Sequence, residues 1–509
     1  MKIKNIKIID ILQDGRAVAK TESKTAFIEG AIYGEVCNIK VNNEKKNFFE
    51  AEKTKTLEKS PYLRKPPCPY YYECGGCSIM DINYKTQIKL KKNLIKNALL
   101  KSAKIKIDDI EILEGKEFGY RNKIRLQINK KGKLAYNKKY SNDLVEIKDC
   151  LLAKDLIREN LEKIEEITKD ITKKYPNSLE EITIRANEKE ILLNIKIKDE
   201  KIIPYIKNQY KNSTYNINLI NKKETISISG KNHLVYNLLG KKFKITMNDF
   251  YQVNDYITEK LYKTAKDFLG ENQKVLDLFC GSATSSIAIN DDHVVGIEIN
   301  KNAIKDAKEN AKENGLKDYK FIAKNANYID DKFIKKEKID AIVVDPPRAG
   351  LDKEIIKTIA KTKIKKIAYI SCNPQTLARD IKRFQEKGYK LEKIKGCDMF
   401  SETMHVEVIT LLSKLDSKKY ISVELPMDDM DLTSAESKAT YKQIQNYVLE
   451  KFGFKVSTLY IAQVKKKHGL EVREHYNISK NEKQKIPKCP IEKEEAILDA
   501  LKHFKMVYY

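Results

Sequence analysis

From about residue 250 onward the sequence predicts an α/β fold built on a doubly wound parallel sheet. Three observations carry this. Short apolar runs alternate with helical patterns, as in strand–helix–strand units. The run Lys274–Phe279 opens into Cys280-Gly281-Ser282-Ala283 ahead of a helix starting near Thr284, a strand–turn–helix passage. Two further strands end in chemistry-bearing residues, Ala341–Val344 at Asp345 and Ile367–Ser371 at Cys372. Ligands of such sheets bind beyond the carboxyl ends of the strands.

Residues 1–58 read as β-rich segments, Lys2–Leu12, Gly15–Lys20, Thr25–Glu29 and Glu35–Val41, and lysines are frequent from Lys45 to Lys59. A small five-stranded, OB-like barrel with a basic face fits, and such barrels commonly carry nucleic acid. Residues 59–249 read as a central α+β domain that opens with Cys68, Cys74 and Cys77 in a C-x5-C-x2-C run. Prolines and glycines around the run make a loop able to aim its sulfurs inward. Soft thiolates select an iron–sulfur cluster or zinc, and Cys150 is the best fourth ligand because Cys37 lies in a strand. A basic helix near 84–101 is expected to pack on the catalytic domain. Tyr120-Arg121-Asn122-Lys123 is a candidate phosphate or base contact, with a solvated strand edge as the equal alternative.

Residues 250–415 form the predicted sheet domain. Glu298 closes the second strand, 21 positions after Asp277. A tight glycine turn and an acidic strand end suit the ribose of a nucleoside cofactor. The G-x-G-x-x-G bed for a pyrophosphate is absent, since Gly281 is followed by Ser282-Ala283-Thr284-Ser285-Ser286. S-adenosylmethionine, an adenosine without phosphate, therefore fits better than a dinucleotide. Asp345-Pro346-Pro347-Arg348 makes a rigid loop. Cys372 precedes Asn373 and Pro374, a helix N-cap and first-turn pair, and this position favours thiolate over thiol. Glu407 sits inside a strongly apolar run, where a carboxylate is costly unless paired or working. Residues 416–509 read as a helical extension. Thr433-Ser434-Ala435-Glu436 is a capping box for a helix to about Lys451, Ser457 caps a second ending near Gly469, and a third spans Ile491–His503. The second ends in Lys465-Lys466-Lys467-His468, which suggests a helix-turn-helix.

The chain has 509 residues, a formal net charge of +26 and 41% hydrophobic residues, which implies a globular protein with a polyanionic partner. Genome base composition can also inflate lysine. The N-terminus has no signal-peptide h-region, and no apolar run approaches the ~18 residues of a membrane span. Nine cysteines without a secretion signal fit a reducing, cytoplasmic setting.

Together Phe250-Tyr251-Gln252-Val253-Asn254, Asp277-Leu278-Phe279-Cys280-Gly281, Glu298, Asp345-Pro346-Pro347-Arg348, Ser371-Cys372-Asn373-Pro374 and His405-Val406-Glu407 resemble the RNA uracil-C5 methyltransferases. The resemblance covers residues 1 to about 415. It implies a Rossmann-like S-adenosylmethionine methyltransferase domain, a TRAM domain at the N-terminus, and a [4Fe–4S] site on Cys68, Cys74, Cys77 and Cys150 of the kind found in ribosomal-RNA members. It further implies that Gln252, Phe279, Glu298 and Asp345, with Asn325, hold S-adenosylmethionine, that Cys372 is the nucleophile and that Glu407 is the base. Ala283 departs from the second glycine that many methyltransferases carry. The expected product is 5-methyluridine, with 23S rRNA as the substrate, and a monomer is expected.

The chemistry asks for the same residue types. C5 of uracil is too electron-poor to attack a methyl donor, and a thiolate added at C6 turns C5 into an enolate carbon. Afterwards a carboxylate must remove the C5 hydrogen to release the enzyme. The uridine must leave its stack to meet the cysteine. Alternatives are a tRNA target, an RNA cytosine-C5 methyltransferase, a nicotinamide-dependent oxidoreductase and a non-catalytic iron–sulfur RNA-binding protein.

Overall fold

The computed structural model describes residues 1–415, except 222, 223, 248, 272, 291, 292 and 363, together with 441–468 and 489–504. The chain divides into two compact units, Met1–Lys419 and Tyr420–Tyr509.

The first unit holds an eight-stranded sheet in the order Tyr319–Ala323, Val294–Glu298, Val275–Leu278, Ala341–Val344, Lys366–Ser371, Glu407–Lys414, Tyr389–Cys397, Ile112–Leu113. The first five strands are parallel. Glu407–Lys414 then pairs antiparallel with both Lys366–Ser371 and Tyr389–Cys397, so the sheet is mixed rather than wholly parallel. The period of two along each strand splits the core into two layers. Val275, Ala341, Val343 and Ala368 face the helices Asp255–Leu269, Thr284–Ile289 and Lys301–Glu313. Leu276, Ile342, Val344 and Ile367 face Lys353–Ala360 and Pro374–Gln385. The helix Tyr84–Ala98 joins this second layer through Ile88 and Ile95. The hairpin His233–Leu238/Lys241–Thr246 supplies Leu234, Phe243 and Ile245 to the first layer, so the catalytic core draws on residues before 250.

The central region is a seven-stranded sheet with its own core, against which the helix Leu161–Lys174 packs Ile164, Ile167 and Ile171. The N-terminal sheet has six strands, not five. The run read as Lys2–Leu12 breaks at Ile8 and Ile9, whose N–H groups donate to different neighbours, the carbonyls of Glu35 and Val18. Lys2–Lys7 and Asp10–Ile11 therefore end on opposite edges of the sheet.

In the second unit Tyr441–Phe452, Thr458–Lys467 and Ile491–His503 are helices around Ile444, Val448, Ile461, Val464, Ile497 and Leu501. Ser457 caps the second by accepting the Tyr460 N–H at 3.2 Å. The capping box at Thr433–Glu436 and the helix end near Gly469 lie outside the described residues. Among the described residues no helix is long and apolar enough to cross a membrane.

Candidate active site

Beyond the carboxyl ends of the parallel strands lies a cavity of about 650 Å³. Its walls include Gln252, Phe279, Glu298, Asn325, Asp345, Cys372 and Glu407, all seven residues expected from the sequence to carry chemistry or cofactor. It opens where strand order reverses, between Val275–Leu278 and Ala341–Val344. A larger cavity of about 830 Å³ lies between the N-terminal sheet and the cysteine loop and contains none of the seven.

The turn after Val275–Leu278 is sharply wound, with Phe279, Gly281 and Ala283 all at positive φ (69°, 54° and 62°). Only glycine adopts this region freely, so Ala283 accepts a small strain there. The winding aims the Gly281 N–H at Glu298 Oε2, 3.3 Å away, while Glu298 Oε1 accepts the Asn300 N–H at 2.8 Å. Buried Asp277 accepts the Ser285 hydroxyl at 2.7 Å and is pushed up to about 6 by burial. The Asn325 side chain accepts the Asn327 N–H at 2.9 Å and so caps the turn Ala326–Tyr328. Gln252 is held by the strand Lys123–Ile128 and the residue preceding it: the Asn122 amide donates to the Gln252 carbonyl at 2.9 Å, and the Asn122 N–H donates to Val253 at 2.9 Å.

Cys372 and Glu407 arrive on adjacent strands. The antiparallel register pairs Ser371 with Val408, and one further step sets Cys372 level with Glu407. Asn373 caps the helix Pro374–Gln385, and its amide with the Thr376 hydroxyl donates to the Arg348 carbonyl, tying the Asp345–Gly350 loop to the turn that carries Cys372. Gln13, in the turn after the strand Asp10–Ile11, donates to the Cys372 carbonyl at 3.5 Å.

The electrostatics correct one expectation. The helix start was expected to favour the Cys372 thiolate, but burial, then Glu407 and Asp345, push the thiol up to about 11, with Arg348 opposing in part. One turn of helix dipole does not outweigh two carboxylates in a low-dielectric site. Glu407 is raised well above the carboxylate range by burial and by Asp345. Asp345 is raised to about 7 by burial and by Asp277. Ionised carboxylates this close disfavour each other, so the cavity holds protons at neutral pH.

The sequence pattern of the family described as tRNA (Uracil-5-)-methyltransferase matches residues 83–415. Uncharacterised RNA methyltransferases of Clostridium tetani and Aquifex aeolicus are each 33% identical to the chain. The first aligns over 82% of this chain and 97% of its own length, the second over 82% and 100%. This chain belongs to the RNA uracil-C5 methyltransferase family. Its fold is similar to that of the Pyrococcus abyssi tRNA (uracil-54, C5)-methyltransferase solved with S-adenosyl-L-homocysteine, with a TM-score of 0.64 and 26% identity over 80% of this chain and 99% of that one. The methyltransferase reading thus displaces the oxidoreductase and the non-catalytic binding protein, and the enzyme uses S-adenosylmethionine on RNA.

Other parts of this methyltransferase stand differently from their sequence reading. Within Tyr120-Arg121-Asn122-Lys123, Tyr120 and Asn122 are buried and Arg121 is half-buried: the Tyr120 hydroxyl donates to the Ser401 carbonyl at 3.0 Å, and Arg121 lies over the Phe400 ring. They brace the site from behind. Among the described residues no group of three or more His, Cys, Asp or Glu side chains is arranged to hold a metal ion. Cys68, Cys77 and Cys150 nonetheless border one small cluster with Tyr71, Met80, Tyr120 and Leu152. Cys74 is close enough that Cys150 and Cys68 raise its thiol further. The Gly76 N–H donates to Cys74 Sγ at 3.4 Å and the Tyr136 hydroxyl to Cys150 Sγ at 3.8 Å, the donor environment that ligating sulfurs attract. Cavity residues to which the sequence reading gave no role are Tyr262, Phe400 and His405; His405 was visible only as part of His405-Val406-Glu407.

Proposed function

We propose that the chain forms 5-methyluridine, in 23S rRNA, with Cys372 as nucleophile and Glu407 as base. The observation that carries this is the register level shared by Cys372 and Glu407 on the wall of one cavity. The Cys372 thiol passes its proton to water, its sulfur bonds to C6 of the flipped uracil, and charge moves to the C4 oxygen. C5, now nucleophilic, takes a methyl group. Glu407 then removes the C5 hydrogen, the C6–S bond breaks and the thiolate leaves. A carboxylate held above its ordinary range by burial and Asp345 is a better base for that hydrogen than an exposed one.

Gln252, Phe279, Glu298 and Asp345, with Asn325, would hold S-adenosylmethionine, which supplies the methyl as a sulfonium-bound electrophile. The residues fit a cation: Glu298, Asp345 and Glu407 bring acid to the cavity, and no glycine bed for a pyrophosphate exists. Cys68, Cys74, Cys77 and Cys150 would hold a [4Fe–4S] cluster, with zinc as the alternative. Lys53, Arg125, Lys138 and Lys139 beside the exposed Tyr72 and Tyr140 in the larger cavity suit flanking RNA, by charge on the backbone and stacking on bases.

The cysteine run favours ribosomal RNA, and the likeness to a tRNA (uracil-54, C5)-methyltransferase supports tRNA as the second reading. Incubation with labelled methyl donor and unmodified total RNA, followed by mapping, decides between them. Glu407→Gln should accumulate a denaturation-resistant RNA adduct, because addition and methylation proceed while release is blocked; absence of the adduct sinks Glu407 as base.

A further inference from the structure

Between the strands Tyr389–Cys397 and Glu407–Lys414 runs a stretch that is almost wholly buried. Lys91 and Asp398, both fully buried, form an ion pair, and Lys91 also donates to the Phe400 carbonyl at 3.0 Å. Glu402 sits at φ 68°, a conformation that a non-glycine residue adopts only when its surroundings hold it there. Arg64 Nη2 donates to both of its carboxylate oxygens at 2.7 Å, Gln87 donates to one at 3.1 Å, and the Ser78 and Ile79 N–H groups donate to its carbonyl. Phe400 and His405 alone in this stretch keep exposed surface, and both face the cavity of Cys372 and Glu407. The His405 N–H donates to Thr403 Oγ1 at 3.3 Å, and its ring stands edge-on to Phe400, with centroids 6.1 Å apart. Neither ring nitrogen has a hydrogen-bond partner among the described residues.

We propose that His405 is a specificity-determining residue for the target base, hydrogen-bonding the polar edge of the uracil while Phe400 walls the pocket beside it. This rests on Cys372 and Glu407 being the catalytic pair. A rigid bracket that presents an unpartnered imidazole to a reaction pocket leaves its hydrogen bonds for a ligand to complete. Burial, then Arg348, Lys91 and Arg121, hold His405 down to about 4, so the ring is uncharged and offers one donor and one acceptor. Uracil presents a donor at N3 between two carbonyl acceptors, and a ring with one donor and one acceptor can meet either kind of edge atom. An N–H aimed at the C4 oxygen gains strength as sulfur adds at C6 and charge builds there.

The test compares His405→Ala, His405→Phe and His405→Asn in single-turnover methylation of target RNA, with S-adenosylhomocysteine binding measured by calorimetry. Ala and Phe should each slow methylation about 10²-fold, the loss expected when a base-recognising hydrogen bond goes unmade. Asn should recover about tenfold of that, and S-adenosylhomocysteine binding should stay within about twofold throughout. Phe retaining the wild-type rate would show that ring packing suffices, and a parallel loss of S-adenosylhomocysteine binding would assign His405 to the cofactor; either overturns the proposal. If Phe does not fold, Asn against Ala decides alone, with equal rates counting against it. Glu407→Gln run alongside separates the two readings: a missing adduct there removes the catalytic pair, whereas an adduct with undisturbed His405 variants removes this inference alone.

Discussion

Cys372, one residue past the strand Lys366–Ser371, stands level with Glu407, the first residue of the antiparallel neighbouring strand, one register step beyond the pairing of Ser371 with Val408. Residues paired across strands present their side chains to the same face at a separation of about 5 Å. The strand Lys366–Ser371 delivers Cys372 one residue past its end, so the sheet fixes where the turn carrying Cys372 starts relative to Glu407. The loops contribute what must vary, the walls around the base and the cofactor.

The titration of Cys372 is the most direct check on this site. With the thiol pushed up to about 11, nearly all of it is protonated at neutral pH. Alkylation of Cys372 by iodoacetamide, followed by peptide mass mapping, should rise about tenfold per pH unit through pH 8 to 10, where an ordinary cysteine levels off. Arg348→Met removes the cation that opposes the shift and should slow alkylation at about pH 9. A plateau below about pH 8 would show a stabilised thiolate instead.

Asp345 gives a stability prediction with a definite sign. Its folded value of about 7 lies above the unfolded 3.8, so the native state binds more protons between these values and loses stability as pH rises through that window. Asp345→Asn removes the buried charge. Its stability at about pH 8 should exceed that of the wild type by on the order of 1 to 3 kcal/mol, read as a higher thermal midpoint, and the difference should vanish near pH 4. Methylation should be lost in the same variant, as expected where a site is strained for function. A destabilised Asp345→Asn at pH 8 would mean that the ionised carboxylate is compensated.

The strand ends were legible because their signals are local. Asp277, Glu298, Asp345 and Cys372 each follow a short apolar run, and Asn373-Pro374 marks a helix start within two residues. The bracket carrying Phe400 and His405 was not legible, because the pairs that build it join Arg64 to Glu402 and Lys91 to Asp398, more than 300 positions apart. The place of Arg121 over the Phe400 ring was hidden for the same reason, since that ring lies far along the chain. The Cys372 titration failed for a related reason: the helix start is local, but the acids that overrule it arrive from other strands.

The cysteine site can be tested by composition. Protein purified without oxygen should contain iron and acid-labile sulfide in equal amounts, and Cys150→Ala should lose both. Zinc without sulfide would select the alternative, and the absence of either metal would remove the site. Because Ser78 and Ile79, directly after Cys77, donate to Glu402, Cys150→Ala should also lower the thermal midpoint.

The extension predicts a negative result. Its second helix ends in three consecutive lysines, the feature that suggested groove binding. Lys465 is buried, with its ammonium 4.7 Å from the centre of the Tyr441 ring, and Lys467 pairs with Glu494. Two of the three charges therefore hold the helices Tyr441–Phe452, Thr458–Lys467 and Ile491–His503 together. Each phosphate neutralised adds about 0.7 to 0.9 to the slope of log affinity against log salt. Truncation after Leu415 should leave RNA affinity within about threefold and that slope within about one unit. A larger drop in slope would show that cations of the extension reach the RNA, and would support the helix-turn-helix reading instead.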